Sequence, residues 1–279
     1  MSINVSATKT HYSATQLESF CRCPEAYRRS YVELEKIPPG VAQLRGTGFH
    51  RGAAANMRQK IDSHRDLPAK EIVEAAVAAF EADAHGGVSL TADEAARGAG
   101  TALGEGKDDL ADMALGHARR QAPDYQPVLV EQSVRIELPG APRDLLGIID
   151  LADTLGRVTD FKTSKKSKQQ AEADSSVQLT IYASGYHALR GGPPAEVRLD
   201  TIVLTSRRID RQLLVSDRGP ADFQALAHRI NAVHASIEAG NFPPTTPGSW
   251  FCSPKYCGYF LNGCPYINSE RMLKAGGHE

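Results

Sequence analysis

Two short segments hold the residues best suited to chemistry, Gly147-Ile148-Ile149-Asp150 and Thr159-Asp160-Phe161-Lys162. Residues two apart on a strand share a face, so Asp160 and Lys162 point together while Phe161 packs on the other side. A turn at Thr154-Leu155-Gly156 folds the two segments into a hairpin and brings Asp150 close to opposite Asp160. Two carboxylates and a lysine then converge. Carboxylate oxygens suit Mg2+ or Mn2+, which keep several waters and take phosphate oxygens as further ligands. A lysine beside them can orient or deprotonate a metal-activated water and offset charge building on a phosphodiester. Gln178 and Tyr182, at i and i+4 of the helix that follows, add an amide and a phenol on one face. His50, after Gly46-Thr47-Gly48-Phe49 on an early helix, is a further candidate ligand. The plain alternative is a hairpin with surface aspartates, a surface lysine and a structural histidine elsewhere.

Cysteines make a second constellation. Cys23 stands near the start, in Phe20-Cys21-Arg22-Cys23-Pro24, while Cys252, Cys257 and Cys264 follow as C-x4-C-x6-C at the other end. Four thiolates so arranged can close both chain ends over one metal centre. An iron–sulfur cluster, a four-cysteine zinc site and scattered buried thiols all stand as readings. Structural zinc more often uses two short cysteine pairs than one residue plus three, and the late cysteines lie beside Gly and Pro rather than in apolar runs. Trp250, Phe251, Tyr256, Tyr259, Phe260 and Tyr266 would pack around such a centre or offer a base-stacking surface.

These groups need elements to position them. Ser13-Ala14-Thr15-Gln16 reads as a capping box opening a helix through about Cys21, and Pro24 starts a second that Pro38-Pro39-Gly40 breaks. A third begins near Gly46 and carries His50. Ala69 to Ala84 and Lys107 to Arg120 are helical by propensity, with a Gly-rich loop from His85 to Gly104 between them. Strands are expected over Pro127 to Leu138, Asp144 to Ala152, Arg157 to Thr163, Val197 to Ser206 and Gln212 to Val215. Helices from Ala171 to Leu189 and Ala221 to Ala239 complete an α/β core of mixed sheet and helices, with a helical insertion before it and a cysteine-bearing tail after it.

The bulk properties exclude little. At 279 residues, with 41% hydrophobic and 23% charged, the chain has the profile of an ordinary soluble globular protein. No stretch approaches about 18 consecutive apolar residues, so no membrane partner is expected. The start, Met1-Ser2-Ile3-Asn4-Val5, has no secretory signal, which points to the cytoplasm, where metal binding by cysteine is favoured over disulfides. A net charge of −1 gives no bulk attraction for nucleic acid, though it leaves a local basic groove open. The runs Lys165-Lys166-Ser167-Lys168, Arg207-Arg208 and Arg28-Arg29 read as solvated surface. No G-x-x-x-x-G-K-S/T loop occurs, so no helicase motor is carried.

Taken in order, G-T-x-x-H, G-I-I-D, D-F-K-T and Q-x-x-x-Y resemble the PD-(D/E)xK nuclease superfamily, in its restriction-endonuclease-like fold. The opening Ser13-x-x-x-Leu17-x-x-Phe20-x-x-Cys23-Pro24-x-x-Tyr27 and the closing C-S-P-K-Y-C-G-Y-F-L-N-G-C-P-Y are similar to its RecB-like iron–sulfur branch, which includes the nucleases of CRISPR adaptation and the AddB nuclease domain. The likeness runs from about 12 to 267, which it frames as a single nuclease domain. Residues 1–45 and 240–267 would form an iron–sulfur clasp, 60–122 a helical insertion, 123–239 the catalytic core and 268–279 a tail. It implies that His50, Asp150 and Asp160 ligate Mg2+ or Mn2+ with the Phe161 carbonyl, and that Lys162 is the catalytic lysine. Gln178 and Tyr182 would shape the pocket or hold DNA, and Glu131 would be an acid just outside the ligand set. Cys23, Cys252, Cys257 and Cys264 would bind a 4Fe–4S cluster. Cys23 is preferred to Cys21 because the family's cysteine precedes proline, although the late spacing is wider than the C-x2-C-x5-C of many members. The implied activity is exonucleolytic hydrolysis of single-stranded or end-exposed DNA, in recombination, repair, phage DNA processing or CRISPR-type adaptation, with proteins of those processes as partners. A DNA-end-binding or scaffolding subunit with little turnover is the alternative.

Overall fold

The computed structural model describes residues 11–206, 208–246, 248–260 and 262–267. Residues 1–10, Arg207 and the expected tail 268–279 lie outside the described residues.

A two-residue strand, β1 (His11–Tyr12), leads into α1 (Ala14–Arg22). The capping box forms as expected, with Gln16 N–H on the Ser13 hydroxyl and Ser13 N–H on Gln16 Oε1 at 2.8 Å. Cys23 ends α1 and precedes Pro24, whose fixed φ starts α2 (Pro24–Tyr27) and a π-helical turn, Arg28–Val32. Then come α3 (Val41–Ser63), α4 (Ala69–Ala84), α5 (Ala92–Arg97) and α6 (Ala99–Gly116). Here the structure departs from the expected loop over 85–104, most of which is helical. Thr91 caps α5 with Glu94 in a reciprocal box, and two glycines of α6, Gly106 and Gly116, serve close packing. A Cβ on Gly106 would lie 2.5 Å from Val41 Cγ1, so helix contact outweighs poor intrinsic propensity. The helix carrying His50 starts before Gly46 and runs through position 60 to Ser63.

Five more strands follow: β2 (Pro127–Ile136), β3 (Asp144–Asp153), β4 (Arg157–Ser164), β5 (Glu196–Leu204) and β6 (Ile209–Ser216). Between β4 and β5 the expected single helix is two, α7 (Gln170–Asp174) and α8 (Val177–Arg190), because Ser176 caps a new start by accepting Leu179 N–H. The last helix is α9 (Pro220–Glu238). The sheet is mixed. β2, β3 and β4 form an antiparallel meander, β5 lies parallel to β4 and β6 antiparallel to β5, while β1 pairs in parallel with the start of β3. The parallel β4–β5 pair requires the α7–α8 crossover.

Two cores sandwich the sheet. Ile149, Val158 and Leu199 pack with Ile181 of α8 and Ile230 of α9, while Leu151, Phe161 and Ile202 pack with Phe49 of α3 and Leu110 of α6. Ile149 and Leu151 should share a face, yet they enter different cores. The register is kept across this point, with Gln132 paired to Ile149 and Val130 to Leu151, but Glu131 between them has a left-handed φ of 47°. Asp150 sits at this switch of faces.

Candidate active site

The left-handed turn of β2 at Glu131 is where the acidic residues gather. Asp150, buried on β3, accepts the Tyr182 hydroxyl on Oδ1 at 2.8 Å and the Phe161 N–H on Oδ2 at 2.9 Å. His50 Nδ1 approaches the same Oδ2 to 3.3 Å and Glu131 Oε1 to 3.9 Å. His50, Glu131 and Asp150 each bring a ligand atom within 4.8 Å of the others. This group differs from the expected trio of His50, Asp150 and Asp160. Glu131 enters because its left-handed backbone turns its carboxylate toward His50. Asp160 adjoins Asp150 and is engaged by Lys162, whose Nζ is 2.9 Å from Oδ1. Beyond this ion pair, both Asp160 oxygens are buried with no well-aligned hydrogen-bond donor among the described residues.

Lys162 is held from the other side by Gln178 Oε1 at 2.9 Å, and Gln178 Nε2 donates to the Tyr182 oxygen at 2.7 Å. The two α8 residues therefore tie the lysine to Asp150 in one chain of hydrogen bonds. Phe161 lends its N–H to Asp150, and its ring packs edge-on against His117 and Tyr125 on the opposite face.

Burial sets the electrostatics. It raises the Asp150 and Asp160 carboxyls above the usual range, with Lys162 pulling the other way. Burial lowers the Lys162 ammonium, but Asp160 and Asp150 outweigh it and hold its pKa above the ordinary value. Burial, with help from Lys162, keeps His50 neutral, as a metal ligand must be. An imidazole nitrogen, carboxylate oxygens and the buried Asp160 carboxylate beside them suit a hard divalent cation.

The group opens into a cleft of about 880 Å³ lined by Thr15, Gln43, Thr47, Arg51, Arg58 and Ser133 among others. Sequence reasoning missed three charged residues here. Glu18 on α1 feels the charges of Lys162 and Asp160. Arg51 and Arg58, seven apart on α3, both act on the Glu131 carboxyl. Their spacing puts them on one helical face, but only the folded cleft shows what that face lines. Both are exposed and make no hydrogen bond or ion pair among the described residues. By contrast Arg28, Arg29, Lys165 and Lys168 are paired with Glu25, Glu35, Asp109 and Glu172.

The cysteines meet elsewhere. Cys23, Cys252, Cys257 and Cys264 line one cavity of about 170 Å³, together with Phe251, Phe260 and Tyr266, while Cys21 is exposed. Burial raises the Cys252 and Cys257 thiols, with the neighbouring cysteines adding to it. The tail around them docks on the N-terminal segment. Arg29 donates to the Asn262 carbonyl at 2.7 Å and stacks on Tyr259, whose hydroxyl donates to the Glu35 carbonyl at 2.9 Å.

A hard-cation donor set with a lysine beside it, on a mixed sheet between helical layers, marks the class as metal-assisted hydrolases. The model of the PD-(D/E)XK nuclease superfamily matches residues 11–268, and the chain belongs to that superfamily. No curated protein matches it by sequence. Among solved structures, a provisionally assigned exonuclease from Eubacterium rectale is 11% identical over 88% of each chain, with a TM-score of 0.48. A protein designated SSO0001 is 14% identical over 95% of this chain and 91% of its own, with a TM-score of 0.38. Among the described residues no helix is long and apolar enough to cross a membrane.

Proposed function

We propose that this nuclease is a metal-dependent exonuclease acting on single-stranded or end-exposed DNA. One observation carries the reading: His50, Glu131 and Asp150 converge beside the buried Asp160–Lys162 pair, at the floor of a cleft with two unpaired arginines. Mg2+ or Mn2+ would be held by His50, Glu131 and Asp150, with Asp160 and the Phe161 carbonyl completing the set. When bound, the cation supplies a water of lowered pKa and neutralises charge on the phosphate. Lys162, fixed between Asp160 and Gln178, orients the attacking water and offsets charge on the non-bridging oxygens. Tyr182 and the Phe161 N–H fix both oxygens of Asp150, so the carboxylate is positioned before substrate arrives. Arg51 and Arg58 face the polyanion.

The four cysteines form the clasp of this reading, as ligands of a 4Fe–4S cluster. They line one cavity, and a single cysteine from one chain end with three from the other is a less usual arrangement for structural zinc than two short cysteine pairs.

Digestion of end-labelled single- and double-stranded DNA with Mn2+ tests the activity and its polarity together. Asp160→Ala and Lys162→Ala should each lose at least about a hundredfold in rate. Degradation equal to that of the unmodified protein would overturn the site assignment.

A further inference from the structure

The cysteine-bearing tail turns an aromatic face outward that the metal site does not use. Trp250 is 64% exposed and Tyr256 51% exposed, in a chain whose other large aromatics are mostly buried. Their rings meet edge to face at 5.2 Å, and Phe251 lies 5.9 Å from Trp250. Cations stand over the rings: Arg22 is 5.8 Å from the Trp250 centroid and 5.3 Å from that of Phe251, and Lys255 is 5.3 Å from Tyr256. Neither Arg22 nor Lys255 forms an ion pair or hydrogen bond with the protein among the described residues.

One helix joins this face to the cleft. Thr15, Glu18 and Arg22 follow one another at i, i+3 and i+7 along one side of α1. Thr15 lines the cleft, Glu18 feels the charges of Lys162 and Asp160, and Arg22 lies against Trp250 and Phe251. Seven residues of helix span about 10 Å, roughly three nucleotides at the rise of one strand in a duplex and fewer if the strand is stretched.

We propose that Trp250 and Tyr256 are a stacking platform for unpaired bases of the strand being cut, a few nucleotides from the bond hydrolysed. Ring faces interleaved with unpaired cations match a ligand that itself alternates π faces with phosphates. A paired duplex keeps its base faces covered, so the platform selects single-stranded or frayed nucleic acid. The proposal rests on the nuclease reading for its substrate, but its test does not depend on turnover.

Trp250 is the chain's one tryptophan, so its emission reports the platform directly. In EDTA, where no hydrolysis occurs, an oligothymidine of about 12 nucleotides should quench that emission saturably. A fully abasic strand of the same length should not. By anisotropy of a labelled oligothymidine, the double variant Trp250→Ala/Tyr256→Ala should bind about 5- to 100-fold more weakly, and Trp250→Phe should keep much of the affinity. Unchanged emission of the unmodified protein, or unchanged affinity of the double variant, overturns the platform and leaves this face to a protein partner. Cleavage of labelled DNA with Mn2+, run in parallel, separates the two readings. Cleavage without quenching removes the platform alone, whereas quenching without cleavage keeps it and removes the exonuclease.

Discussion

Glu131 is the residue whose backbone works hardest for the site. A left-handed φ on a residue other than Gly costs of the order of 1–3 kcal/mol, and here it directs a carboxylate at His50. Glu131→Gly should therefore leave unfolding stability in urea unchanged or slightly raised, while calorimetry shows Mn2+ affinity falling at least about tenfold. A large loss of stability with Mn2+ binding intact would reverse that assignment. Arg51 and Arg58 carry a second expectation. Replacing either by Ala should weaken single-stranded DNA binding and shrink the slope of log affinity against log salt by about 0.7, with Mn2+ binding unaffected. An unaltered slope would exclude phosphate contact. Asp160 and Lys162 were legible together because strand alternation puts them on one face, and Asp150 because the short turn sets β3 against β4 in register. The approach of Glu131 to His50 was not legible. The left-handed conformation of Glu131 is foreign to its residue type, and alternation fails at the very position where β3 switches faces.

At the scale of elements, α3 is the beam that sets His50 against the sheet. Gly48 and Gly52 let it approach α4 closely: a Cβ on Gly48 would lie 2.8 Å from the Ala76 carbonyl oxygen, and one on Gly52 2.8 Å from that of Ile72. Behind β4, His117 in the π turn His117–Gln121 packs edge-on against Phe49 of α3 and Phe161 of β4, its Nδ1 2.9 Å from Gln121 Oε1 and its Nε2 without a hydrogen-bond partner among the described residues. Burial holds this imidazole neutral, with a pKa lowered to about 4. The unfolded chain takes up the proton near the ordinary value of about 6.5, so it binds more protons than the folded chain between those limits. His117 is thus no burden above about pH 6.5, and it erodes stability as pH falls toward 4, by about 2 to 3 kcal/mol at pH 4.5. Urea titrations at pH 7 and 4.5 should show that His117→Gln removes this part of the acid loss. An equal acid loss in both proteins would assign it to other groups. Helix order was readable where propensity and packing agree, as in α4. It was misread over 85–104, where the Thr91–Glu94 capping box starts α5 and α6 runs on through Gly100 and Gly104, glycines that look like breakers.

The molecule as a whole joins two centres that make different demands. The Asp150 hairpin is braced by both cores of the sheet, whereas the tail after α9 has no helix or strand among its described residues and leans on the first 37 residues. Arg29, Tyr259 and the packing of Gly258 on Ile37 hold part of that seam, and the four cysteines are placed to hold the rest. α1 belongs to both centres, with Thr15 at the cleft and Cys23 at its end. Loosening the cysteine centre should then free the tail and shift α1, but leave His50, Glu131 and Asp150 as they are. Cys257→Ala, purified anaerobically, should lose the visible charge-transfer absorbance of thiolate-bound iron and become open to protease within 241–267. Its affinity for single-stranded DNA should fall because α1 borders the path, while Mn2+ affinity should stay within about twofold, since ligand sets without shared contacts act independently. A colourless, zinc-containing parent would replace iron–sulfur by zinc in the same clasp. Loss of Mn2+ binding together with the cluster would show that the tail supports the catalytic hairpin itself, and the division into clasp and core would fail.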